Sequence, residues 1–402
     1  MCVEEVLNES FHSESSRRLS GLRIALVAAE PSGDHLGAAL MQAINARIAD
    51  VSYTGIGGPE MIAAGMQSLY PMEKLTVMGL IEVLPHLPEL LRIRRHLAQH
   101  LIDNPPDLFI GVDAPDFNLG LAKKMKAAGI PTVQYVAPTV WAWKQGRVKI
   151  LREALDLVLS IFPFEQEFLL SHRVPSIYVG HPLADQVPLN PNPASARAAL
   201  GLPLDAPLLA LLPGSRVGEI KRLSKPFLEA AALLAQQIPH LKIVAPMVNG
   251  HIHQLFDQQR KQLVPALDCI LIDKQADLVL EAADAVLTAS GTATLQTLLY
   301  KKPMVVGYRV NAITYRLLTL FRRIKVDYIA MANLLAGEAL APEFIQYQCT
   351  AEKIAPALLR LMTDQQQIDK IKNRYMQIHK KLQQNAAQKA ADAVLNLIEA
   401  GQ

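Results

Sequence analysis

A short turn of small residues, Ser290-Gly291-Thr292, has the composition of a phosphate-binding loop. It follows an apolar run that ends at Leu287–Thr288 and precedes a predicted helix from Ala293 to Tyr300. The start of a helix exposes N–H groups without intrahelical partners and carries the positive end of the helix dipole. Small side chains also let a phosphate approach the backbone closely. The turn therefore predicts a site for an anion such as a diphosphate.

Asp113 is the main candidate for acid–base chemistry because it directly follows the apolar run at 108–112. Burial at the end of such a strand raises the pKa of a carboxyl group and suits it to general-base catalysis. The plainer interpretation is that Asp113 or Asp116 only caps the helix that follows. The sequence pattern leaves both interpretations open.

The segment Glu30-Pro31-Ser32-Gly33-Asp34-His35 also follows an apolar run. Its Ser, Asp and His lie too close together for a catalytic triad, whose members normally come from separate loops, and a Gly-x-Ser-x-Gly elbow is absent. Either Ser32 or Asp34 caps the next helix, or Glu30 or Asp34 contacts a ligand.

Two glycine-containing loops follow other predicted strands. Gly55-Ile56-Gly57-Gly58-Pro59 leads into a helix, and contact with an acceptor or a phosphate is one of several reasons for its glycines. Leu212-Pro213-Gly214-Ser215-Arg216 offers a turn and a cation for phosphate oxygens, although a surface arginine is the simpler alternative. The same layout in both halves of the chain favours the functional interpretation.

Residues 74–96 form an apolar block with basic flanks, including Leu84, Leu87, Leu91, Arg94 and Arg95. Pro85 and Pro88 predict that no long helix crosses it. The composition suits contact with an anionic membrane surface or with acyl chains, and an ordinary core helix is the alternative.

Two aromatic and three histidine positions complete the candidates. Trp141 and Trp143 lie in a loop, where packing between domains and stacking on a sugar are equally plausible. His181, His251 and His253 have no Cys or carboxylate at metal-ligand spacing, so no metal site is predicted.

Length and composition limit the class of protein. A chain of 402 residues predicts two domains, and its net charge of +3 gives no case for nucleic acid as a partner. Residues 1–21 are acidic and serine-rich, which predicts a disordered tail rather than a secretory signal. No apolar stretch reaches bilayer length, and three widely separated cysteines are typical of a reducing cytoplasm.

Short apolar runs alternate with helical patterns along most of the chain, which predicts an α/β fold with parallel sheets. The pattern stops in a proline-rich stretch around 182–207 and then restarts. We expect an N-terminal domain at 22–186, a C-terminal domain at 187–350 and closing helices at 351–402. Two doubly wound halves would place ligands in a cleft at the carboxyl ends of the strands.

Ten segments together resemble lipid-A-disaccharide synthases, inverting glycosyltransferases of the GT-B fold in Gram-negative bacteria. The most specific are VDAPDFN (112–118), YVAPTVWAW (135–143) and LLPGSR (211–216). The others are AAEPSGDHLGA (28–38), GIGGPEM (55–61), VMGLIEVLPHL (77–87), VGHPLAD (179–185), SGTATLQ (290–296), VGYR (306–309) and NLLAG (333–337). The resemblance covers nearly the whole chain beyond residue 21.

The resemblance implies two Rossmann-like domains, an N-terminal one for the acceptor and a C-terminal one for the UDP-sugar. The donor would be UDP-2,3-diacylglucosamine and the acceptor 2,3-diacylglucosamine 1-phosphate, with UDP and a β-1,6-linked disaccharide 1-phosphate as products. No metal or other cofactor is expected, since a DxD-type site is absent. The enzyme would lie peripherally on the cytoplasmic face of the inner membrane, and a homodimer that exchanges C-terminal elements has precedent in the family.

The resemblance also distributes roles among residues. It assigns catalysis to Asp113 as base, and Glu30 is the second catalytic candidate. Donor-binding candidates are Gly214, Ser215, Arg216, Ser290, Gly291, Thr292, Gln296, Arg309 and Asn333. Candidates for acceptor or membrane contact are Ser32, Gly57, Gly58, Met78, Leu84, Leu87, Leu91, Arg94 and Arg95.

One departure from the pattern and two rival functions remain. GT-B sequences usually carry Glu at the position of Gln296, so contact with the ribose hydroxyls would lack a charge. Another GT-B enzyme, such as a UDP-N-acetylglucosamine transferase or epimerase, is the first rival. A non-catalytic nucleotide-sugar binder at the membrane is the second.

Overall fold

The computed structural model describes residues 21–75, 80–140, 145–310 and 328–401, with only the backbone of 80–86, 145 and 401. The predicted tail, Met78 and the tryptophan loop lie outside the described residues, and so does the side chain of Leu84. The chain forms two compact units. Unit 1 comprises Met1–Asp185 and Leu382–Gln402, and unit 2 comprises Gln186–Lys381.

Unit 1 contains a parallel sheet of seven strands in the order β3-β2-β1-β4-β5-β6-β7. The strands are β1 Leu22–Ala28, β2 Val51–Ile56, β3 Met66–Ser68, β4 Leu108–Val112, β5 Thr132–Tyr135, β6 Leu157–Ser160 and β7 Ser176–Tyr178. Its helices are α1 Pro31–Asn45, α2 Pro59–Ala63, α3 Leu80–Asp103, α4 Pro115–Ala127, α5 Val148–Ala154, α6 Pro163–Ser171, α7 Pro182–Gln186, which ends at the unit boundary, and the last helix of the chain. Proline opens α1, α2, α4 and α6, where its missing N–H is harmless.

Unit 2 contains a parallel sheet of six strands in the order β10-β9-β8-β11-β12-β13. The strands are β8 Leu208–Leu212, β9 Lys242–Met247, β10 Ile270–Asp273, β11 Ala285–Ala289, β12 Met304–Tyr308 and β13 Glu343–Ile345. The helices are α8 Pro193–Ala199, α9 Val217–Ala235, α10 Gly250–Leu263, α11 Ala276–Ala282, α12 Thr292–Leu299, α13 Met331–Ala336, α14 Ala351–Thr363 and α15 Gln365–Leu382.

The central strands of both sheets are buried on both faces. Every residue of β4, β5, β6 and β11 is buried, which explains why β4 and β11 are mostly apolar without alternation. β5 is an exception in composition, because its buried residues include Thr132 and Gln134. The predicted α/β class with two Rossmann-like parallel sheets is confirmed. The short edge strands β3 and β13 were not predicted.

Helix α3 contradicts the prediction from its prolines. It runs from Leu80 to Asp103 and includes Pro85 and Pro88. Each proline removes one N–H and crowds the carbonyl four residues earlier, but both lie in the first nine residues of the helix. Burial of the later turns holds the helix in place; the buried side chains there are Ile93, Leu97, Ala98 and Leu101.

The chain returns to unit 1 for its last helix, α16 Ala386–Gly401. The Asp185 carboxylate accepts hydrogen bonds from the backbone N–H groups of Gln384, Asn385 and Ala386 at 3.0, 2.9 and 2.6 Å. These N–H groups have no intrahelical partner, so Asp185 caps the helix from a distant part of the sequence. Arg47, in the turn after α1, adds an ion pair with Asp392 at 2.7 Å.

Among the described residues, no helix combines the length and the apolar character needed to span a bilayer.

Candidate active site

The two predicted acidic loops of unit 1 leave the sheet side by side. Ala28 pairs with Val112, so the chain exits β1 towards Glu30 and exits β4 towards Asp113 at adjacent positions. This is the switch point of the sheet, because the connections from β1 and β4 run in opposite directions. A Cβ atom on Gly33 would lie 3.5 Å from the Val112 carbonyl oxygen, so the first turn of α1 packs in van der Waals contact with the end of β4.

Asp113 has an unusual backbone and a half-buried side chain. Its φ is 51° and that of Ala114 is 41°, both in the left-handed region that L-residues rarely adopt. Burial raises the pKa of the Asp113 carboxyl above its ordinary value, and a hydrogen bond from the Ala114 backbone partly opposes that rise. The N-cap position of α4 is occupied by Ala114, so neither Asp113 nor Asp116 is the N-cap residue of this helix.

Asp34 organises the glycine loop of unit 1. Its carboxylate accepts hydrogen bonds from the N–H groups of Gly58, Glu60 and Met61 at 2.8, 2.9 and 3.1 Å. A Cβ atom on Gly58 would come within 2.5 Å of Asp34 Oδ2, so this contact requires glycine. Asp34 therefore caps α2 rather than its own helix, and Ser32 lies exposed on the first turn of α1. Gly57 and Gly58 line an open cavity of about 360 Å³.

Unit 2 repeats the arrangement at its own switch point. Leu212 pairs with Thr288, so the Gly214 turn and the Ser290 turn leave β8 and β11 next to each other. They border a cavity of about 530 Å³. Seven of the predicted donor-binding residues line it, namely Gly214, Ser215, Arg216, Ser290, Gly291, Thr292 and Gln296.

The start of α12 is the part of this cavity best suited to an anion. The N-cap residue of this helix is Gly291, with a φ of 148°, so the N-cap position has no side chain to bond the first N–H groups. Ser290 donates its hydroxyl to the Ile329 carbonyl oxygen at 3.1 Å, which fixes the turn. Thr294 donates to the Gly291 carbonyl oxygen at 2.8 Å and accepts from the Met331 N–H at 3.2 Å. The residues at the start of α12 thus line the cavity and are preceded by a turn held on both sides, and the start of a helix suits an anion.

The Gly214 turn is organised differently, by a carboxylate that sequence reasoning missed. Glu219 Oε2 accepts hydrogen bonds from the N–H groups of Ser215 and Arg216 at 2.9 and 3.2 Å. The signal for this contact was Glu at the third position of α9, a common capping pattern. Because these N–H groups already bond a carboxylate, the turn offers an anion mainly the Arg216 side chain, which is 69% exposed.

Two further predicted donor residues have other surroundings. Asn333 is fully buried, donates to the Ala341 carbonyl oxygen and to Glu343, and accepts from the N–H groups of Leu340 and Ala341. It therefore positions the segment after α13 rather than facing the cavity. Arg309 donates to the Cys349 carbonyl oxygen and borders a different cavity of about 570 Å³.

The predicted membrane residues divide into two groups. Leu87 and Leu91 are each 42% exposed on α3, and Arg95 is exposed beside them. Arg94 instead lies against α4, where its guanidinium is 3.5 Å from the Asp116 carbonyl oxygen and fills the space above Gly120.

No group of three His, Cys, Asp or Glu side chains forms a possible metal site among the residues that the structure describes. His181 is buried against Phe162, and burial lowers its pKa to about 4. Its Nδ1 atom accepts a hydrogen bond from the Leu183 N–H at 3.2 Å, so His181 has a structural role.

Sequence comparison decides the family. The model of the lipid-A-disaccharide synthetase family matches residues 24–397. The chain belongs to the lipid-A-disaccharide synthase family. It is 50% identical over 380 residues to the lipid-A-disaccharide synthase of Pseudomonas aeruginosa strain LESB58, with 94% of this chain and 99% of that one covered. The synthase of Pseudoalteromonas translucida is 47% identical over 379 residues, covering 94% and 98%.

Solved structures show the same fold at low sequence identity. UDP-GlcNAc 2-epimerase from Neisseria meningitidis, bound to UDP-GlcNAc, has a TM-score of 0.62 at 13% identity, covering 93% of this chain and 99% of that chain. HepE from Anabaena, in complex with UDP and glucose, has a TM-score of 0.56 at 12% identity, covering 94% and 99%. These similarities show that the chain has the GT-B fold.

The Asp34 cap gives a test of how the glycine loop is held. We expect Asp34→Ala to lower the free energy of unfolding by about 3 kcal/mol, because three backbone N–H groups lose a charged acceptor. Urea denaturation followed by circular dichroism measures this. Asp50→Ala, at an exposed position, is the control and should change stability by less than about 0.5 kcal/mol. Equal stability of the two variants would contradict the assigned role.

Proposed function

We propose that this protein transfers 2,3-diacylglucosamine from UDP-2,3-diacylglucosamine to the 6-hydroxyl group of 2,3-diacylglucosamine 1-phosphate. The products are UDP and a β-1,6-linked tetraacyl disaccharide 1-phosphate. Membership of the lipid-A-disaccharide synthase family supports this reaction. The proposal assigns the acceptor and the base to unit 1 and the nucleotide to unit 2.

The observation that carries the proposal is Asp113 at the switch point of unit 1. In the proposed step its carboxylate takes the proton of the acceptor hydroxyl while that oxygen forms a bond to the anomeric carbon of the donor. The bond from that carbon to the diphosphate breaks, and its electron pair leaves with UDP. The raised pKa of Asp113 supports this role, because a base of higher pKa accepts the proton more readily. Glu30, on the adjacent loop, is the second acidic group of this site.

The diphosphate is assigned to the cavity of unit 2. The N–H groups at the start of α12 and the Arg216 cation would stabilise the charge that develops on the leaving group. Gln296 also lines this cavity, and its amide oxygen is assigned to the ribose hydroxyl groups. The UDP-bound structures of proteins with the same fold support a nucleotide role for this class of fold.

We further propose peripheral contact with the cytoplasmic face of the inner membrane. Acylated substrates reside in a bilayer, so the proposal has the protein meet them at the bilayer surface. The exposed Leu87 and Leu91 supply apolar area, and Arg95 supplies positive charge for anionic headgroups. Ser32, Gly57 and Gly58 are the assigned acceptor contacts at the sheet edge.

UDP release from defined substrates tests the reaction. The expected result is release only when both donor and acceptor carry acyl chains, and not with UDP-N-acetylglucosamine. Asp113→Asn keeps the shape of the side chain but cannot take a proton, so we expect kcat to fall about a thousandfold, within the range of general-base catalysis. Release from non-acylated donor, or normal turnover by Asp113→Asn, would overturn the proposal.

Binding of UDP tests the assignment of the cavity. We expect Arg216→Ala to weaken UDP binding by about tenfold, because it removes a charge-assisted contact to phosphate. Isothermal titration calorimetry measures this directly. Arg309→Ala is the matched control, since Arg309 borders another cavity, and it should leave the affinity unchanged. A larger effect at Arg309 than at Arg216 would assign the nucleotide elsewhere.

Vesicle sedimentation tests the membrane surface. Replacing Leu87 and Leu91 with serine should lower binding to vesicles of anionic phospholipid by about tenfold, because both side chains lose apolar area. Leu170→Ser and Ile177→Ser, at exposed positions elsewhere on unit 1, are the matched controls. Unchanged vesicle binding by the folded Leu87/Leu91 variant would contradict this part of the proposal.

A further inference from the structure

Two buried amide side chains converge on the backbone of Asp113. Asn118 Nδ2 donates to the Asp113 carbonyl oxygen at 2.9 Å, and Gln134 Nε2 donates to the same oxygen at 2.8 Å. Asn118 comes from the first turn of α4 and Gln134 from the middle of β5. Neither side chain is accessible to solvent. The backbone of the base is therefore held from two directions by side chains that do not reach the surface.

These two hydrogen bonds act where the backbone is least favourable. Asp113, Ala114 and Val136 all have positive φ, at 51°, 41° and 72°. Such a conformation costs about 1–2 kcal/mol for each L-residue, and most for a β-branched one such as Val136. The Asp113 N–H still donates to the Tyr135 carbonyl oxygen at 2.9 Å, so the turn begins immediately after that bond. The carbonyl group of Asp113 is the point at which the chain changes direction, and both amides bond it.

Each of the two amide side chains has one buried oxygen atom that makes no hydrogen bond. Asn118 Oδ1 and Gln134 Oε1 are buried with no hydrogen-bond partner among the described residues. An apolar side chain of similar size would avoid that penalty, which is about 1–3 kcal/mol for each group. The packing is also close, because a Cβ atom on Gly111 would lie 2.8 Å from both Asn118 Cβ and Gln134 Oε1. Polar groups kept at a loss of stability beside a strained acidic residue indicate a role in function.

We propose that Asn118 and Gln134 are positioning residues that fix the direction of the Asp113 carboxylate. By holding the Asp113 carbonyl they keep the backbone in its left-handed turn, and the turn determines where the side chain points. The inference rests on the proposed role of Asp113 as the base. Neither amide is assigned contact with a substrate.

Two substitutions of Gln134 separate hydrogen bonding from packing. Gln134→Met keeps the length and removes the donor, whereas Gln134→His offers an imidazole N–H at a similar distance from the backbone. We expect Gln134→Met to lower kcat by about tenfold to a hundredfold, as for a misplaced catalytic group, with KM for both substrates unchanged. Gln134→His should retain most of the kcat. UDP affinity should match that of the unaltered protein in both variants, because the nucleotide is assigned to unit 2.

A double-mutant cycle with Asp113→Asn tests whether Gln134 acts through the base. If it does, adding Gln134→Met to Asp113→Asn causes no further loss of kcat, whereas a general weakening of the structure adds a second loss. Gln166→Met is the matched control, since Gln166 also bonds a backbone carbonyl, that of Ser176 at 3.0 Å.

The outcomes are distinguishable. Normal kcat in Gln134→Met, equal losses in the Met and His variants, or additive losses in the cycle would each overturn the inference. If Gln134→Met does not fold, Asn118→Leu with the same cycle removes the other donor and is judged by the same criteria. Normal turnover by Asp113→Asn alone would instead overturn the proposed base, without any Gln134 variant.

Discussion

The parallel pairing of β1 with β4, and of β8 with β11, is the constraint on which the candidate site depends. Each pair joins strands whose connections run in opposite directions, so two loops open beside one another at the carboxyl edge. In unit 1 the register of Ala28 with Val112 brings the Glu30 and Asp113 loops together. In unit 2 the register of Leu212 with Thr288 does the same for the Gly214 and Ser290 turns. A shift of either register by one residue would displace the two loops of that pair along the strand direction by about 3.3 Å.

Carboxylates that accept backbone N–H groups hold these loops in shape. Asp34 fixes the glycine loop, Glu219 fixes the Gly214 turn and Asp185 fixes the start of α16. Glu343 does the same for Ile329 and Ala330, and it also accepts from Asn333. Charge-assisted hydrogen bonds of this kind are directional and stronger than neutral ones, which suits loops that have little apolar area to bury. These acidic residues hold the loops in place, and the proposed reaction does not use them.

Much of the architecture could be predicted, because most buried parallel strands can be recognised in the sequence as short apolar runs. The loops after β1, β2, β4, β8 and β11 were identified for that reason. The edge strands β3 and β13 have three residues each and gave no such signal. Helix α3 was mispredicted because a local rule about proline was outweighed by burial further along the helix. Contacts between residues far apart in the sequence, such as Asp34 with Gly58 or Gln134 with Asp113, could not be predicted, because no spacing pattern in the sequence indicates them.

The position of α16 has a consequence for how the protein is made. This helix packs on unit 1 beside α1, yet its residues are synthesised after all of unit 2. During translation, unit 2 can therefore complete its sheet and helices while unit 1 still lacks its final element. The Asp185 carboxylate bonds N–H groups about two hundred residues downstream, and Arg47 pairs with Asp392, which is synthesised later still. Domains usually fold in the order in which they leave the ribosome. In this protein, unit 1 is the first to be synthesised in part and the last to be synthesised in full.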